Sequence, residues 1–115
     1  MPKYSRFEGA ISLTSLEIAQ QLNKEHKHVM RDIRLVMERK KIAMLDKFKS
    51  QYRDSYKRKQ TMYTINRQIY TGILQHYKKT DLERYAVLDD YIAHKNQEYD
   101  DKLTKLVDKF MSKWQ

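Results

Sequence analysis

Two amphipathic helices in close succession are predicted near the start of the chain. Thr14 to Glu17 are predicted to form a capping box. In this motif the threonine hydroxyl accepts a hydrogen bond from the backbone amide of the glutamate, and the glutamate side chain accepts one from the backbone amide of the threonine. This box opens a helix of about two turns. Its apolar positions are Leu16, Ile18, Ala19 and Leu22. Asn23 follows, and asparagine tolerates the left-handed backbone of a tight turn. A second helix is predicted from about Lys24 or Glu25 to Lys40, with a buried stripe of Val29, Ile33, Val36 and Met37.

The hydrophobic period then changes from helical to alternating. Residues 48–54 alternate, and residues 61–65 are again rich in β-forming types, so we predict a hairpin with a basic tip between them. The tip has no glycine, which leaves the type of turn open. Residues 10–13 are a candidate short edge strand, and residues 42–46 are a candidate weak extension of the second helix.

Two more helices complete the pattern. Asn66 is expected to cap a helix over residues 67–77, and Thr80 to cap a last helix. The first apolar positions of the last helix are Leu82, Tyr85, Leu88 and Ile92. A polar break at 95–98 interrupts this stripe, which resumes at Tyr99, Leu103, Leu106, Phe110 and Trp114. The order of helix, tight turn, helix, basic hairpin and helix is typical of a winged helix-turn-helix. The predicted fold is therefore mostly α with a small β-hairpin: a winged helix-turn-helix-like DNA-binding body over residues 1–79 and a long C-terminal helix over 80–115.

Net charge points to a polyanionic partner. The chain carries 24 Lys and Arg against 15 Asp and Glu, a net charge of +9. Residues 1–79 hold 18 basic and 7 acidic groups (net +11), whereas residues 80–115 hold 6 and 8 (net −2). A basic body with a nearly neutral tail favours double-stranded DNA as partner for the body and a different role for the tail.

The cations concentrate where a DNA reader would need them. On the second helix, the candidate contacts to base edges and phosphates are Lys24, His26, Lys27, His28, Arg31 and Arg34. In the hairpin, the candidate phosphate contacts are Arg53, Lys57, Arg58 and Lys59. Lys3 and Arg6 are further candidates in an N-terminal arm, and Asp32 and Glu38 are expected to pair with cations on the helix flank. The plain alternative for each group is a solvated charged surface.

Several other chemistries are disfavoured. The chain has no cysteine, which excludes disulfides, cysteine zinc sites and thiol catalysis. His26 and His28 are two residues apart on a helix and so point about 200° from each other, which prevents them from sharing a metal ion. No cluster of activating groups surrounds any of the 9 tyrosines, and no glycine-rich phosphate loop is present. We therefore expect a protein that is not an enzyme and uses no cofactor or metal.

The location of the protein is also expected from the sequence. No run of about 18 apolar residues is present, so no membrane span is expected. The first ten residues lack an apolar signal core. A cytoplasmic location in a bacterial host cell is the resulting expectation.

The C-terminal stripe has helical spacing over about four turns. Tyr99, Leu103, Leu106, Phe110 and Trp114 are expected to form a homodimer contact, because DNA readers commonly use two half-sites. The alternative is that the stripe folds back onto the core of its own chain.

The stretch from Ile11 to Tyr63 resembles the phage regulatory proteins of the Rha type. The matching pieces are Thr14-Ser-Leu-Glu-Ile-Ala19, Lys24-Glu-His-Lys-His-Val-Met-Arg-Asp-Ile-Arg34, Phe48-x-x-x-Tyr52-x-Asp54 and Lys59-Gln-Thr-Met-Tyr63. Residues 65–92 keep the family's helix order more loosely. The resemblance implies a prophage or phage-satellite protein with a winged-helix-like DNA-binding region that regulates viral genes. The chain departs from the family at Asn23, at the hairpin tip and at residues 77–80, where the family often has glycine.

Two main functions follow from these features. The first is a sequence-specific transcription regulator, a phage or phage-satellite repressor that reads the major groove with helix 24–40 and phosphates with hairpin 48–65. The alternative is a protein-binding antirepressor, an inhibitor of another phage or host regulator that acts through the aromatic C-terminal helix. An RNA-binding module is a third reading.

Overall fold

The computed structural model describes residues 11–112 and contains four α-helices and three short strands in that range. The order is β1 (Leu13–Thr14), α1 (Ser15–Leu22), α2 (His26–Arg39), β2 (Lys49–Arg53), β3 (Lys59–Ile65), α3 (Arg67–Thr80) and α4 (Leu82–Ser112), with a 3₁₀ turn at Asp46–Phe48 before β2. Lys3, Arg6 and Trp114 lie outside the described residues.

The three strands form an antiparallel sheet in the order β1-β3-β2. Strand β1 adds Leu13 and Thr14 to one edge of β3, opposite Ile65 and Thr64. Strand β2 pairs along the other edge over its whole length, from Lys49 opposite Tyr63 to Arg53 opposite Lys59. The predicted hairpin is therefore present. The edge strand expected at residues 10–13 lies at Leu13–Thr14. Together they form the sheet of a winged helix-turn-helix-like fold with a long helix appended.

Local capping explains where α1 and α2 begin and end. The capping box is present: Glu17 N–H donates to Thr14 Oγ1 and Thr14 N–H to Glu17 Oε1, both at 3.1 Å. Asn23 ends α1 with φ 51° and ψ 47°, the left-handed backbone that the sequence predicted. The chain does not continue as a helix through 42–46. Lys41 adopts φ 57°, and the amides of Lys41 and Ile42 close onto Glu38 and Met37, which terminates α2.

The core lies between α1, α2, α3 and the first half of α4. Its buried members include the predicted stripe residues of α2, and its largest fully buried side chain is Tyr77 on α3. Gly72 allows α3 to approach α2 closely, because a Cβ at this position would lie 2.5 Å from Val36 Cγ1. The absence of a side chain at Gly72 therefore permits the short distance between α3 and the C-terminal half of α2.

A buried carboxylate on α2 joins three elements. Asp32 Oδ2 accepts hydrogen bonds from Lys24 Nζ and from the Tyr77 hydroxyl, both at 2.7 Å. Burial of Asp32 would raise its pKa, but the hydrogen bonds and charge of Lys24 and the hydrogen bond of Tyr77 hold that pKa below its usual value. Burial and the same carboxylate raise the pKa of Tyr77. Asp32 pairs with a neighbouring cation, as expected, but its side chain is buried between helices.

Helix α4 begins on the body and extends beyond it. Asp81, rather than Thr80, caps it: Arg84 N–H donates to Asp81 Oδ1 at 3.3 Å, while Thr80 ends α3 with its hydroxyl on the His76 carbonyl. Leu88 and Ile92 are buried as predicted, but Leu82 is 66% exposed and does not join the core. Lys95 Nζ and the Tyr91 hydroxyl bind the carboxylate of Glu17, at 2.9 and 3.2 Å, so the polar break at 95–98 helps to attach α4 to α1.

The C-terminal stripe is divided between two environments. Tyr99 is half-buried and packs against the core, and Leu103 is half-buried. Leu106 and Phe110 are exposed. The alternative in which the described stripe folds back onto its own core therefore applies to Tyr99 and not to Leu106 or Phe110.

The Asp32 cluster gives a direct test of what holds α2 to α3. Tyr77→Phe should lower the free energy of unfolding by about 1.5–3 kcal/mol, because it removes a hydrogen bond to a buried charge and leaves the ring in place. Tyr85→Phe is the matched control, since its hydroxyl makes no hydrogen bond within residues 11–112, and it should cost less than about 0.5 kcal/mol. Denaturant unfolding measures both. Equal losses in the two variants would contradict the role given to the Tyr77–Asp32 hydrogen bond.

Candidate nucleic-acid interface

The outer face of α2 carries cations opposite the buried stripe. Lys27, Arg31 and Arg34 are exposed on this face, and Glu38 is its acidic member near the C-terminal end. Lys27 Nζ lies 3.3 Å from Glu25 Oε2, and Arg31 Nε lies 3.9 Å from Asp32 Oδ1. The first pair is exposed and contributes little, and the second is long, so both cations are available to a polyanion.

Arg34 connects this face to the sheet. Its Nη1 donates to the hydroxyl of Tyr63 on β3 at 3.1 Å. Tyr63 is buried near the base of the hairpin, so the contact fixes the hairpin beside α2. The guanidinium of Arg34 is therefore positioned by the fold rather than free in solvent.

Two residues predicted as DNA contacts, Lys24 and His26, have partners within the fold. The Lys24 side chain is only 13% exposed, because it pairs with Asp32, and its ammonium lies 4.9 Å from the centre of the Tyr77 ring. His26 is held between α1 and the hairpin by contacts described below. His28 is half-buried. The structure thus brings Lys27, Arg31 and Arg34 together on the outer face of α2 and places Lys24 and His26 behind it.

The hairpin tip is organised by Asp54, a role that the sequence analysis did not predict. Its Oδ1 accepts hydrogen bonds from the amides of Tyr56 and Arg58, at 2.9 and 3.0 Å. Its Oδ2 accepts from Arg58 Nε at 3.1 Å and from Gln60 Nε2 at 3.3 Å. The amides of Arg58 and Tyr56, together with Gln60 and the charge of Arg58, hold the pKa of Asp54 below its usual value. An aspartate that opens a turn is the sequence signal for such an arrangement.

The turn at the tip contains no glycine, and Lys57 adopts the left-handed backbone conformation that glycine often supplies in such turns. Lys57 has φ 63°, and its amide donates to the Asp54 carbonyl at 2.9 Å. Arg53 Nη1 donates to the Lys57 carbonyl at 3.0 Å, and the guanidinium of Arg58 lies 5.1 Å from the centre of the exposed Tyr56 ring. The tip is therefore a well-bonded loop that displays Tyr56, Lys57 and Arg58 to solvent.

One side of the hairpin carries cations that face each other. Arg53 is directly opposite Lys59 in the register of β2 and β3, and both are exposed. Like charges opposite each other across a sheet are destabilising on their own, and an anion placed between them removes that cost. Lys49, also exposed on β2, extends the row and was missed by the sequence analysis. Its alternation with Gln51 and Arg53 is the signal that would have found it.

A small polar cluster links α1, α2 and both strands of the hairpin. The Tyr63 amide donates to Ser15 Oγ at 2.9 Å, and Ser15 Oγ lies 2.7 Å from His26 Nε2. The Ser15 hydroxyl and Nε2 are thus within hydrogen-bonding distance, and on the other side of the ring Nδ1 lies 3.5 Å from the Tyr52 hydroxyl. Burial lowers the pKa of His26, so the neutral ring is favoured.

This cluster predicts a pH dependence of stability. The pKa of His26 is lower in the folded chain than its ordinary value of 6.5, so the unfolded chain binds the extra proton first. The free energy of unfolding should fall as the pH is lowered through 6.5 toward the folded pKa. His26→Gln should show a smaller fall between about pH 8 and about pH 5, measured by denaturant unfolding at each pH. A His26→Gln variant with the full wild-type fall would contradict this source of the pH dependence.

Other kinds of site are not seen in the described range. Among residues 11–112, no three histidine, aspartate or glutamate side chains converge as metal ligands. None of the helices in the same range has the length and apolarity needed to cross a membrane.

Comparison with known proteins assigns the chain to a family. The family described as phage regulatory protein Rha matches residues 13–86, from β1 to the first turns of α4. No curated protein and no solved structure gives a significant match. The match covers the helix pair, the hairpin and α3, the parts that carry the basic surface. The chain belongs to the phage regulatory protein Rha family.

Proposed function

We propose that this protein is a sequence-specific DNA-binding transcription regulator, a repressor of phage or phage-satellite genes. In this proposal the outer face of α2 enters the major groove, and the hairpin, hereafter the wing, contacts phosphates. The observation that carries the proposal is the presence of Lys27 and Arg31 on the exposed face of α2, beside a wing that the structure attaches to that helix. Membership in a phage regulatory family supports the regulatory setting.

The two surfaces have different tasks in this proposal. An arginine on a recognition helix can donate two hydrogen bonds to guanine O6 and N7, which distinguishes one base pair from the others. Arg31 is the best placed for this, because it lies in the N-terminal half of α2 and its only ion-pair partner within residues 11–112 is 3.9 Å away. Lys27, one turn earlier, would contact the same or the neighbouring base pair.

The wing supplies affinity that does not depend on sequence. Lys57, Arg58 and Lys59 follow one another at its tip and exposed edge, and phosphates attract such cations whatever the bases are. Attachment of the wing through His26–Tyr52 and Arg34–Tyr63 keeps this patch in a constant position relative to α2. A rigid relation between the two patches fixes the register of α2 on the duplex.

Repression follows simply from occupancy. A regulator bound across a promoter competes with polymerase without needing a catalytic group, and the proposal assigns the protein no enzymatic reaction. DNA should be bound without a cofactor or metal.

Arg31→Ala tests the reading helix. With a duplex selected from random sequences by the wild-type protein, this change should weaken binding by about 1–3 kcal/mol and relax the preference at one base pair. Lys105→Ala, which removes one exposed charge from α4, is the matched control and should leave affinity and preference nearly unchanged. Fluorescence anisotropy at fixed salt measures both. An Arg31→Ala variant with wild-type affinity and preference would remove α2 from the role of reader.

The wing is tested by salt dependence. Lys57→Asn, Arg58→Ala and Lys59→Ala combined should weaken binding to every duplex. The slope of log K against log salt should become shallower by about 0.9 for each phosphate that the variant no longer neutralises. Asparagine is used at position 57 because the backbone there is left-handed, with φ 63°. The base preference should persist. A variant with an altered preference and an unchanged slope would instead make the wing a reader of bases.

A further inference from the structure

The distal part of α4 presents an apolar surface that the proposed DNA contacts do not use. Beyond Ile92 no residue of α4 is buried, within the part of the helix that the structure describes. Leu106, Val107, Phe110 and Met111 are each at least 48% exposed. Together with the half-buried Leu103, these residues form what we call the distal surface. An exposed cluster of this kind marks an interaction site on a protein that is otherwise highly charged.

The distal surface occupies one side of the helix. Leu103, Leu106 and Phe110 follow at spacings of three and four residues, and Val107 and Met111 lie beside them one turn apart. At 100° per residue, all five side chains project within an arc of about 140°. The spacing matches the a and d positions of a coiled coil, with Leu103 and Phe110 at a and Leu106 at d.

The charges along α4 indicate what kind of partner fits. Residues 99–112 carry three lysines and three aspartates, a net charge of zero, whereas residues 11–98 carry 18 basic and 11 acidic groups, a net charge of +7. A second copy that approached through the basic body would be repelled. A second copy that approaches through the distal surface meets a neutral segment of matching apolarity.

The flanks of the distal surface select the orientation. One flank holds Lys102 and Lys109, and the opposite flank holds Asp100 and Thr104 with Val107. In an antiparallel pair each lysine flank would face the same flank of its partner. In a parallel pair the lysine flank faces the other flank, where the aliphatic stem of Lys102 can cover Val107 of the second copy.

We propose that the distal surface binds a second copy of this chain, with the two α4 helices parallel. Leu103, Leu106 and Phe110 of one copy then lie against the same residues of the other. The two bodies stand at the same end of the pair and are related by a two-fold axis along the helices. This inference goes beyond DNA binding and does not depend on it. If both hold, one symmetric dimer presents two α2 helices to a DNA site with two-fold symmetry.

Sedimentation equilibrium of the full chain tests the assembly. The wild-type chain should be largely dimeric at tens of micromolar, and Leu106→Lys should weaken the dimer at least about tenfold by placing a charge in the a/d seam. Leu82→Lys is the matched control: Leu82 is 66% exposed and Leu106 62% exposed on the same helix, but Leu82 lies outside the distal surface. It should assemble like the wild type. A monomeric wild-type chain, or equal weakening by both changes, would overturn the proposal and leave the distal surface to a different protein.

Single cysteines test the orientation, since the natural chain has none. Leu103→Cys and Phe110→Cys, made separately, should both form disulfide-linked dimers under mild oxidation, because a parallel pair brings each residue next to its own copy. In an antiparallel pair, a residue lies next to its own copy only near the two-fold axis. Residues 103 and 110 are about 10 Å apart along the helix, so they cannot both lie within the roughly 7 Å between Cα atoms that a disulfide allows. Linkage at only one of the two positions would overturn the parallel arrangement.

Discussion

The position of α2 depends on the need to pair a buried negative charge. Asp32 points from α2 into the core, and a carboxylate there is tolerated only if it is paired and hydrogen-bonded. Its partners come from two places in the chain, Lys24 in the turn and Tyr77 on α3. Because both partners are used, α2 is fixed in rotation about its own axis, and Lys27 and Arg31 are directed outward. The cluster that stabilises the fold thereby defines the face proposed to meet DNA.

The sheet and α4 are attached to this helix pair by polar side chains in the first turn of α1. Glu17 is both the second half of the α1 capping box and the acceptor for Lys95 and Tyr91 of α4. Burial and the charge of Glu17 raise the pKa of Tyr91 to about 12, which keeps its hydroxyl as a donor. The buried hydroxyl of Ser15, two residues earlier on α1, contacts both the Tyr63 amide of β3 and the His26 ring. Two neighbouring side chains of α1 thus place the wing on one side and the long helix on the other.

The sequence predicted the elements well where local chemistry decides the outcome. The capping box at Thr14, the left-handed Asn23 and the cap at Asn66 involve residues within a few positions of each other, and all three are present. The hairpin and the third helix were likewise predicted correctly from the spacing of apolar residues along the chain. The family resemblance was confirmed over residues 13–86.

The sequence did not show the contacts that distant residues make. Lys24 looks like part of a basic run in sequence, but its partner Asp32 is eight residues away and the ring beneath it is Tyr77. His26 looks like a surface histidine, but Ser15 and Tyr52 enclose it only after the sheet forms. Thr80 was wrongly predicted to cap α4, and Leu82 was wrongly predicted to pack on the core. The chain turns from α3 into α4 at Asp81, and the spacing of apolar residues does not reveal the position of that turn. Charge runs in a sequence therefore overestimate the number of cations that a folded surface presents.

The claim that α2 and the wing form one DNA-binding surface is tested most directly by mapping contacts on the protein itself. Titration of a duplex into isotope-labelled protein at low salt, followed by the backbone amide signals, locates the surface without assuming an operator sequence. The account predicts shifts concentrated at Lys27, His28 and Arg31 on α2 and at residues 55–59 in the wing, with the distal part of α4 unaffected. Shifts confined to α4, or no shifts at low salt, would contradict it.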